Sequence, residues 1–95
     1  MDIRENSYIR KTFTISNKLG LHARAAAQFV QVANKFNADI FVEKDSQEVS
    51  GKSIMGIMML AAACGSQILV KAKGGDAKEA IQALQTLIEG NFGEE

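Results

Sequence analysis

Apolar and polar residues alternate in several stretches of the chain, which predicts β-strands. In the first stretch Ile9, Phe13 and Ile15 share one face, and Lys11 interrupts that apolar face. Two later stretches are separated by a short polar turn and predict a hairpin. The predicted strands cover residues 8–16, 38–44, 47–50 and 67–73.

Between these strands the apolar spacing changes to three and four residues, which is typical of helices. The first helix is predicted from Ala23 to about Phe36, and a short, strongly apolar helix over about residues 53–62. Asp76 begins a third helix with Glu79 in capping-box spacing, and Gly90 is a plausible end for it.

The predicted order is therefore βαββαβα. This order favours an α+β open-faced sandwich, with a four-stranded antiparallel sheet and three helices on one face. The right-handed crossover rule allows the first and second strands to run parallel, with the last strand between them. We predict one domain over residues 8–95, preceded by a polar extension of residues 1–7.

Composition narrows the class of protein. The 95 residues are 46% hydrophobic, and 11 basic residues balance 11 acidic ones. Neutrality argues against nucleic acid as the main ligand, and no apolar run approaches the roughly 20 residues of a membrane span. The polar N-terminus lacks the apolar stretch of a secretory signal, so we expect a cytoplasmic protein without membrane insertion. We also expect a monomer.

A single cysteine excludes a disulfide within the chain and a cysteine-rich metal site. Cys64 lies in a small apolar run and is predicted to be a buried residue at a helix end. No metal ion or other cofactor is predicted.

The one histidine of the chain, His22, falls where a loop becomes the first helix. The first amides of a helix lack intrahelical partners, and the helix dipole adds positive potential there, so a phosphate would bind well. Arg24 lies in the first turn, where its guanidinium can pair with phosphate oxygens. We predict that His22 accepts a phosphoryl group and that Arg24 contacts it. A helix cap and a solvated charge remain the simpler alternatives.

Ser53 precedes the short apolar helix, where it can serve as the N-cap. A helix on one face of a sheet buries only one side, so some of Ile54, Met55 and Met58 should be exposed. An exposed apolar patch suggests partner docking, and methionine suits a surface that accepts several partners. We predict that Ala23 and these three residues bind partners, although a core role for the methionines is the alternative.

Two motifs carry a family resemblance. Leu19-Gly20-Leu21-His22-Ala23-Arg24, followed by Ala26-Ala27, resembles the active-site motif of the HPr family, the histidine phosphocarriers of the bacterial sugar phosphotransferase system. Gly51-Lys52-Ser53-Ile54-Met55-Gly56 resembles the regulatory serine motif of that family. The resemblance spans about residues 8–90.

The resemblance implies the βαββαβα fold and the partners. His22 would receive phosphate from enzyme I, which phosphoenolpyruvate charges, and would donate it to EIIA domains. Arg24 would contact the phosphate. Ser53 would be phosphorylated by an HPr kinase/phosphorylase. Ala25 departs from the family pattern, which usually has proline directly after the arginine.

Three other functions compete with a sugar phosphocarrier. A regulatory phosphocarrier of a nitrogen-type or incomplete phosphotransferase chain would use the same His22 with different partners. An RNA-binding module would need exposed aromatic residues and a basic face, and Phe41 is the only aromatic candidate on the second to fourth strands. A stand-alone enzyme would need an acid–base partner for His22, and the sequence suggests none.

Overall fold

The computed structural model describes residues 7–94, so the predicted extension lies outside the described residues except for Ser7. Its order is βαββαβα, as predicted, followed by a short 3₁₀-helix. The elements are β1 (Ile9–Thr14), α1 (Ala23–Ala33), β2 (Asp39–Lys44), β3 (Gln47–Ser50), α2 (Ile54–Met59), β4 (Gln67–Lys73), α3 (Ala77–Glu89) and the 3₁₀-helix (Asn91–Gly93).

The four strands form one sheet in the order β1-β4-β2-β3, and every neighbouring pair is antiparallel. Strands β1 and β2 therefore run parallel on either side of β4, which confirms the predicted topology. The hairpin between β2 and β3 turns at Asp45 and Ser46, whose φ angles are 51° and 68°. Such left-handed turns match the twist of the flanking strands.

The core lies between one face of the sheet and the helices. Every second residue of β4 is buried, namely Ile68, Val70 and Ala72. The helical residues that cover this face are spaced by three and four, as an apolar stripe requires. In α1 they are Ala25, Ala26, Phe29, Val30 and Ala33, and in α3 they are Ala77, Ala80, Ile81, Leu84 and Ile88.

Strand β1 is shorter than predicted. Ile15 remains buried, but its backbone pairs with the loop before β4, where its amide donates to the Ser66 carbonyl at 2.8 Å. Ile9 is 40% exposed, so the apolar face of β1 is narrower than the alternation predicts. The Lys11 ammonium crosses to α3 and donates to Gln85 Oε1 at 2.6 Å, which accommodates a lysine in that alternation.

Helices α1 and α2 are also shorter than their apolar patterns. After Ala33 the amides of Lys35 and Phe36 donate to carbonyls three residues back, so the helix ends in tight turns. Helix α2 ends at Met59 because Ala61 adopts a left-handed φ of 50°.

Two local predictions were wrong. The Asp76 side chain makes no capping bond in α3, because its carboxylate accepts hydrogen bonds from the amides of Asn37 and Ala38, both at 2.9 Å. It thereby ties the start of α3 to the loop before β2. Cys64 is exposed rather than buried, because it lies in the turn beyond α2, with Sγ 3.7 Å from the Ser16 carbonyl oxygen.

The open face of the sheet carries one aromatic cluster. The Tyr8 ring contacts Phe41 edge-on at a centroid distance of 6.2 Å, and the ammonium groups of Lys71 and Lys73 lie 5.5 and 5.8 Å from its centroid. Lys71 is paired with Glu48 on the same sheet. The strand register places Asp39, Glu43 and Glu48 on the same face as Arg10, Lys71 and Lys73, so this face is of mixed charge, which disfavours RNA binding.

Candidate functional site

The loop before α1 is held against the segment that follows α2. Gly20 has a φ of +67°, and a Cβ there would lie 2.5 Å from the Ala62 carbonyl oxygen. The next amide, that of Leu21, donates to the same oxygen at 2.9 Å. Only glycine allows this close approach, which fixes the backbone immediately before His22.

His22 occupies the N-cap position of α1, as predicted. Its carbonyl accepts the first helical hydrogen bond, from the Ala26 amide at 2.8 Å, but its side chain makes no capping bond. The imidazole is therefore not used to close the helix, which disfavours the interpretation of His22 as a simple cap. The amides of Ala23, Arg24 and Ala25 belong to the first turn and precede the first helical bond.

The His22 ring has an acid–base partner that the sequence did not reveal. Its Nε2 lies 2.6 Å from Oε2 of Glu94, and the His22 and Glu94 side chains are 29% and 15% exposed. In the neutral ring, an Nε2–H that donates to this carboxylate leaves the lone pair on Nδ1. Nδ1 is then the nitrogen that can act as a nucleophile.

Buried Asn17 contacts both the loop before His22 and the Glu94 carboxylate. Its Nδ2 donates to the Gly20 carbonyl at 2.7 Å and lies 3.3 Å from both carboxylate oxygens of Glu94. One amide group thus joins the loop before His22 to the C-terminal tail. The sequence placed Asn17 in a loop without assigning it a role, because asparagine in a loop is common.

The tail reaches the site because the chain turns back after α3. Phe92 is buried in the core with a left-handed φ of 54°, and Asn91 has a φ of 56°. The Ser16 hydroxyl donates to Asn91 Oδ1 at 2.6 Å, next to the loop that carries Asn17. No periodicity in this polar segment predicts such a turn, which explains why Glu94 was missed.

The hydrogen bond from His22 is the main cause that lowers the pKa of the Glu94 carboxyl below its ordinary value. Partial desolvation raises that pKa, while the Asn17 amide and the charges of His22 and Arg24 lower it further. Glu94 is consequently a carboxylate at neutral pH. Its contribution to stability is lost only as the pH falls through the lowered pKa, below the ordinary glutamate range.

Arg24 is exposed in the first turn of α1, as predicted. Within residues 7–94 its guanidinium makes no hydrogen bond or ion pair. Because this guanidinium has no such partner, its N–H donors are available to an anion bound at His22.

Ser53 is the N-cap of α2, and its Oγ accepts a hydrogen bond from the Gly56 amide at 3.0 Å. Gly56 suits this close turn, because a Cβ there would lie 3.2 Å from Ser53 Oγ and 3.1 Å from the Val49 side chain. The side-chain ammonium of the preceding Lys52 donates to the Phe36 carbonyl at 2.8 Å. This hydrogen bond joins the start of α2 to the segment that follows α1.

The apolar helix α2 is mostly exposed. Ile57 is its only buried residue, whereas Ile54, Met55 and Met58 are 43%, 70% and 40% exposed. This confirms the predicted exposure and contradicts a core role for these methionines. Two further apolar side chains outside the predicted set are also exposed, Met59 at 63% and Leu19 at 67%. We call Leu19 and the exposed residues of α2 the apolar face.

Two negative findings hold for the part of the chain that the structure describes. No helix within residues 7–94 combines the length and apolar character that crossing a membrane requires. No group of three histidine, cysteine, aspartate or glutamate side chains among these residues could hold a metal ion.

This small α+β protein thus presents a histidine and an exposed arginine together at the start of α1, an arrangement suited to an anion. The chain matches the family described as "PTS HPr component phosphorylation site" over residues 9–90. It therefore belongs to the HPr family of phosphocarrier proteins of the phosphotransferase system.

Individual relatives agree with this assignment. The chain is 50% identical to the phosphocarrier protein HPr of Neisseria meningitidis serogroup A, over 90% of this chain and 97% of that protein. It is 48% identical to the HPr-like protein Crh of Halalkalibacterium halodurans, over 85% of this chain and 96% of that protein. A crystal structure of HPr from Thermoanaerobacter tengcongensis superposes with a TM-score of 0.89 at 54% identity, covering 92% and 98% of the two chains.

Proposed function

We propose that His22 accepts a phosphoryl group from enzyme I, charged by phosphoenolpyruvate, and donates it to EIIA domains during sugar uptake. The observation that carries this proposal is the geometry of His22 within a chain of the HPr family. Nε2 is engaged by Glu94 at 2.6 Å, so the lone pair lies on Nδ1, and the ring sits beside the first turn of α1.

The chemistry needs little from the protein. Nδ1 attacks phosphorus, the first-turn amides and Arg24 offset the charge of the phosphoryl oxygens, and the bond to phosphorus remains until an acceptor arrives. Glu94 is committed to Nε2 and fits a supporting role at the ring, so it does not serve as a base for water. We infer that the chain is a stoichiometric carrier rather than a stand-alone enzyme.

The test is incubation with enzyme I and phosphoenolpyruvate, followed by intact-mass measurement. We expect the gain of one phosphate that is lost in acid, as a phosphoramidate bond requires. A mixture without enzyme I is the control. Absence of labelling with an enzyme I that charges another HPr would contradict the proposal.

The apolar face supports a docking role for α2. Ala23, Ile54, Met55 and Met58 lie on α1 and α2, which pack together beside the site, and all four are exposed. Exposed methionines can adapt to more than one partner, which suits a carrier that must meet both a donor and an acceptor. Met59 and Leu19 extend this proposed surface.

We also propose that Ser53 is a regulatory site for an HPr kinase/phosphorylase. The side chain is half-buried and lies at the start of the helix that carries the apolar face. A phosphate there adds nearly two negative charges beside an apolar docking surface, which penalises partner binding.

Replacing Ser53 with aspartate should imitate this effect in part. We expect about fivefold to tenfold weaker binding to enzyme I, because one charge must be desolvated at the interface. The melting temperature should stay near that of the wild type, since aspartate is also a good N-cap. Calorimetric titration measures the affinity, and Ser46→Asp in the β2–β3 turn adds the same charge as a control. Equal affinities of both variants would remove the regulatory role.

Ala25→Pro tests the departure from the family pattern. The Ala25 amide belongs to the first turn and has no intrahelical partner, so proline deletes no helical bond. We expect unchanged phosphoryl transfer and a small change in melting temperature, because a ring must fit at a fully buried position. A stable variant with impaired transfer would show that this amide binds the phosphoryl group.

A regulatory carrier is the second candidate, and the similarity to Crh favours keeping it. It would use the same His22 but deliver phosphate to regulators instead of sugar permeases. Transfer from the labelled chain to purified EIIA domains separates the two functions, because a purely regulatory carrier would not label them. We further propose that the chain acts in the cytoplasm and that it is a monomer. Light scattering of the purified protein would check its oligomeric state.

A further inference from the structure

Several contacts of the C-terminal segment, in addition to the hydrogen bond with the ring, hold Glu94 at His22. The 3₁₀-helix before it is anchored by buried Phe92 and by the hydrogen bond between Ser16 and Asn91. The Glu94 amide donates to the Asn91 carbonyl at 2.9 Å, which closes the last turn. Asn17 then approaches both oxygens of the carboxylate. The carboxylate is thus oriented before any phosphoryl donor arrives.

Phosphorylation changes the charge of the ring that this carboxylate contacts. The Nδ1 lone pair forms the bond to phosphorus, while the bond from phosphorus to its donor breaks and its electron pair leaves with the donor. The proton on Nε2 stays in place. The neutral ring therefore becomes a cation, and its Nε2–H becomes a stronger donor to Glu94.

We propose that Glu94 is a positioning residue and the counter-ion of the His22 ring in the phosphorylated state. This inference rests on the proposed function of His22 as the phosphoryl carrier. The carboxylate orients the ring through Nε2 and stabilises the positive charge that develops when Nδ1 binds phosphorus. Phosphorylated His22 is therefore more stable with this carboxylate beside it than it would be without the carboxylate.

Repulsion between Glu94 and the phosphoryl group opposes this effect but is weaker. The carboxylate lies 2.6 Å from Nε2, on the other side of the ring from the lone pair of Nδ1. The cationic ring therefore separates the two negative groups, and the shorter, attractive contact dominates.

A competition experiment measures this stabilisation directly. Isotopically labelled wild type and unlabelled Glu94→Gln are mixed in equal amounts with limiting phosphoenolpyruvate and catalytic enzyme I, which moves the phosphoryl group reversibly between them. Intact mass then gives the fraction of each chain that is phosphorylated. Glutamine keeps the shape and an accepting oxygen but loses the charge. Glu79→Gln, an exposed glutamate of α3, is the matched control.

We expect the phosphoryl group to favour the wild type over Glu94→Gln by roughly threefold to tenfold, reduced from the full value of a charge-assisted bond by partial exposure. Glu79→Gln should share the phosphate equally. Glu94→Asp keeps the charge and should restore part of the preference. A purely structural role predicts a lower melting temperature with equal sharing.

Equal sharing by Glu94→Gln, or a preference for it, would overturn the proposal, and the latter would show that Glu94 repels the phosphoryl group. A second measurement follows the Nε2 proton of phosphorylated His22 by ¹H–¹⁵N spectroscopy. We expect it to exchange with water several times faster in Glu94→Gln, and an unchanged exchange rate would also contradict the role. If neither chain accepts phosphate, the proposed function of His22 fails instead.

Discussion

Replacing His22 with alanine should abolish phosphorylation by enzyme I. The chain has one histidine, and no other residue combines a free ring nitrogen with the first turn of α1. Alanine provides no nucleophile, so the acid-labile mass gain should vanish rather than decrease. The measurement is the incubation with phosphoenolpyruvate and enzyme I, with the wild type treated in parallel.

The fold of this variant should remain intact. The His22 side chain is half-buried at the surface and takes no part in closing α1, because the first helical bond uses its carbonyl oxygen. Its loss removes the nearest donor to Glu94, but this carboxylate keeps the Asn17 amide and can bind water. Circular dichroism and a melting curve should match the wild type to within a few degrees. Undiminished labelling of a folded His22→Ala protein would place the phosphate on another residue.

Strand order and the helical core followed from the sequence because they depend on many residues at once. The alternation in β4 and the apolar stripe in α3 each determine which side of the element faces the core. Helix ends were less predictable, since tight turns replace the last turn of α1 and the left-handed Ala61 ends α2. These features depend on single backbone angles, which periodicity does not report.

Side chains that act across long sequence distances were the least predictable. Asp76 has the spacing of a capping box, yet it binds the amides of Asn37 and Ala38, nearly forty residues earlier. Glu94 reaches His22 from 72 positions away. For Asp76 local chemistry offered a plausible role, whereas for Glu94 it offered none. In both cases the fold supplied a partner that no local pattern encodes.

The candidate site was predictable where chemistry is local. A histidine and an arginine two residues apart at a helix start suggest an anion site, and the structure leaves both side chains accessible. The exposure of α2 was predictable from its all-round apolar character. The charge balance around the ring was not, because it depends on the tail.

Arg24 should matter to the rate of transfer far more than to stability. Its side chain is exposed, and no hydrogen bond or ion pair within residues 7–94 is lost when it is removed. When phosphorus passes to Nδ1, negative charge gathers on oxygens beside the first turn of α1, where a guanidinium can form two parallel hydrogen bonds. Removing a contact of about 1.5–3 kcal/mol should slow transfer in Arg24→Ala by roughly tenfold to a hundredfold.

Quenched-flow measurement with phosphorylated enzyme I gives this rate, with Lys35→Ala as a control for the general loss of one positive charge near α1. Arg24→Lys should be intermediate, because an ammonium keeps the charge but not the fork. Loss of Arg24 also raises the pKa of Glu94 slightly, but this charge is the weakest of the causes that act on that pKa, so Glu94 remains ionised at neutral pH. The rate therefore reports the guanidinium itself. Transfer at the normal rate in a folded Arg24→Ala protein would show that the first-turn amides alone hold the phosphoryl group.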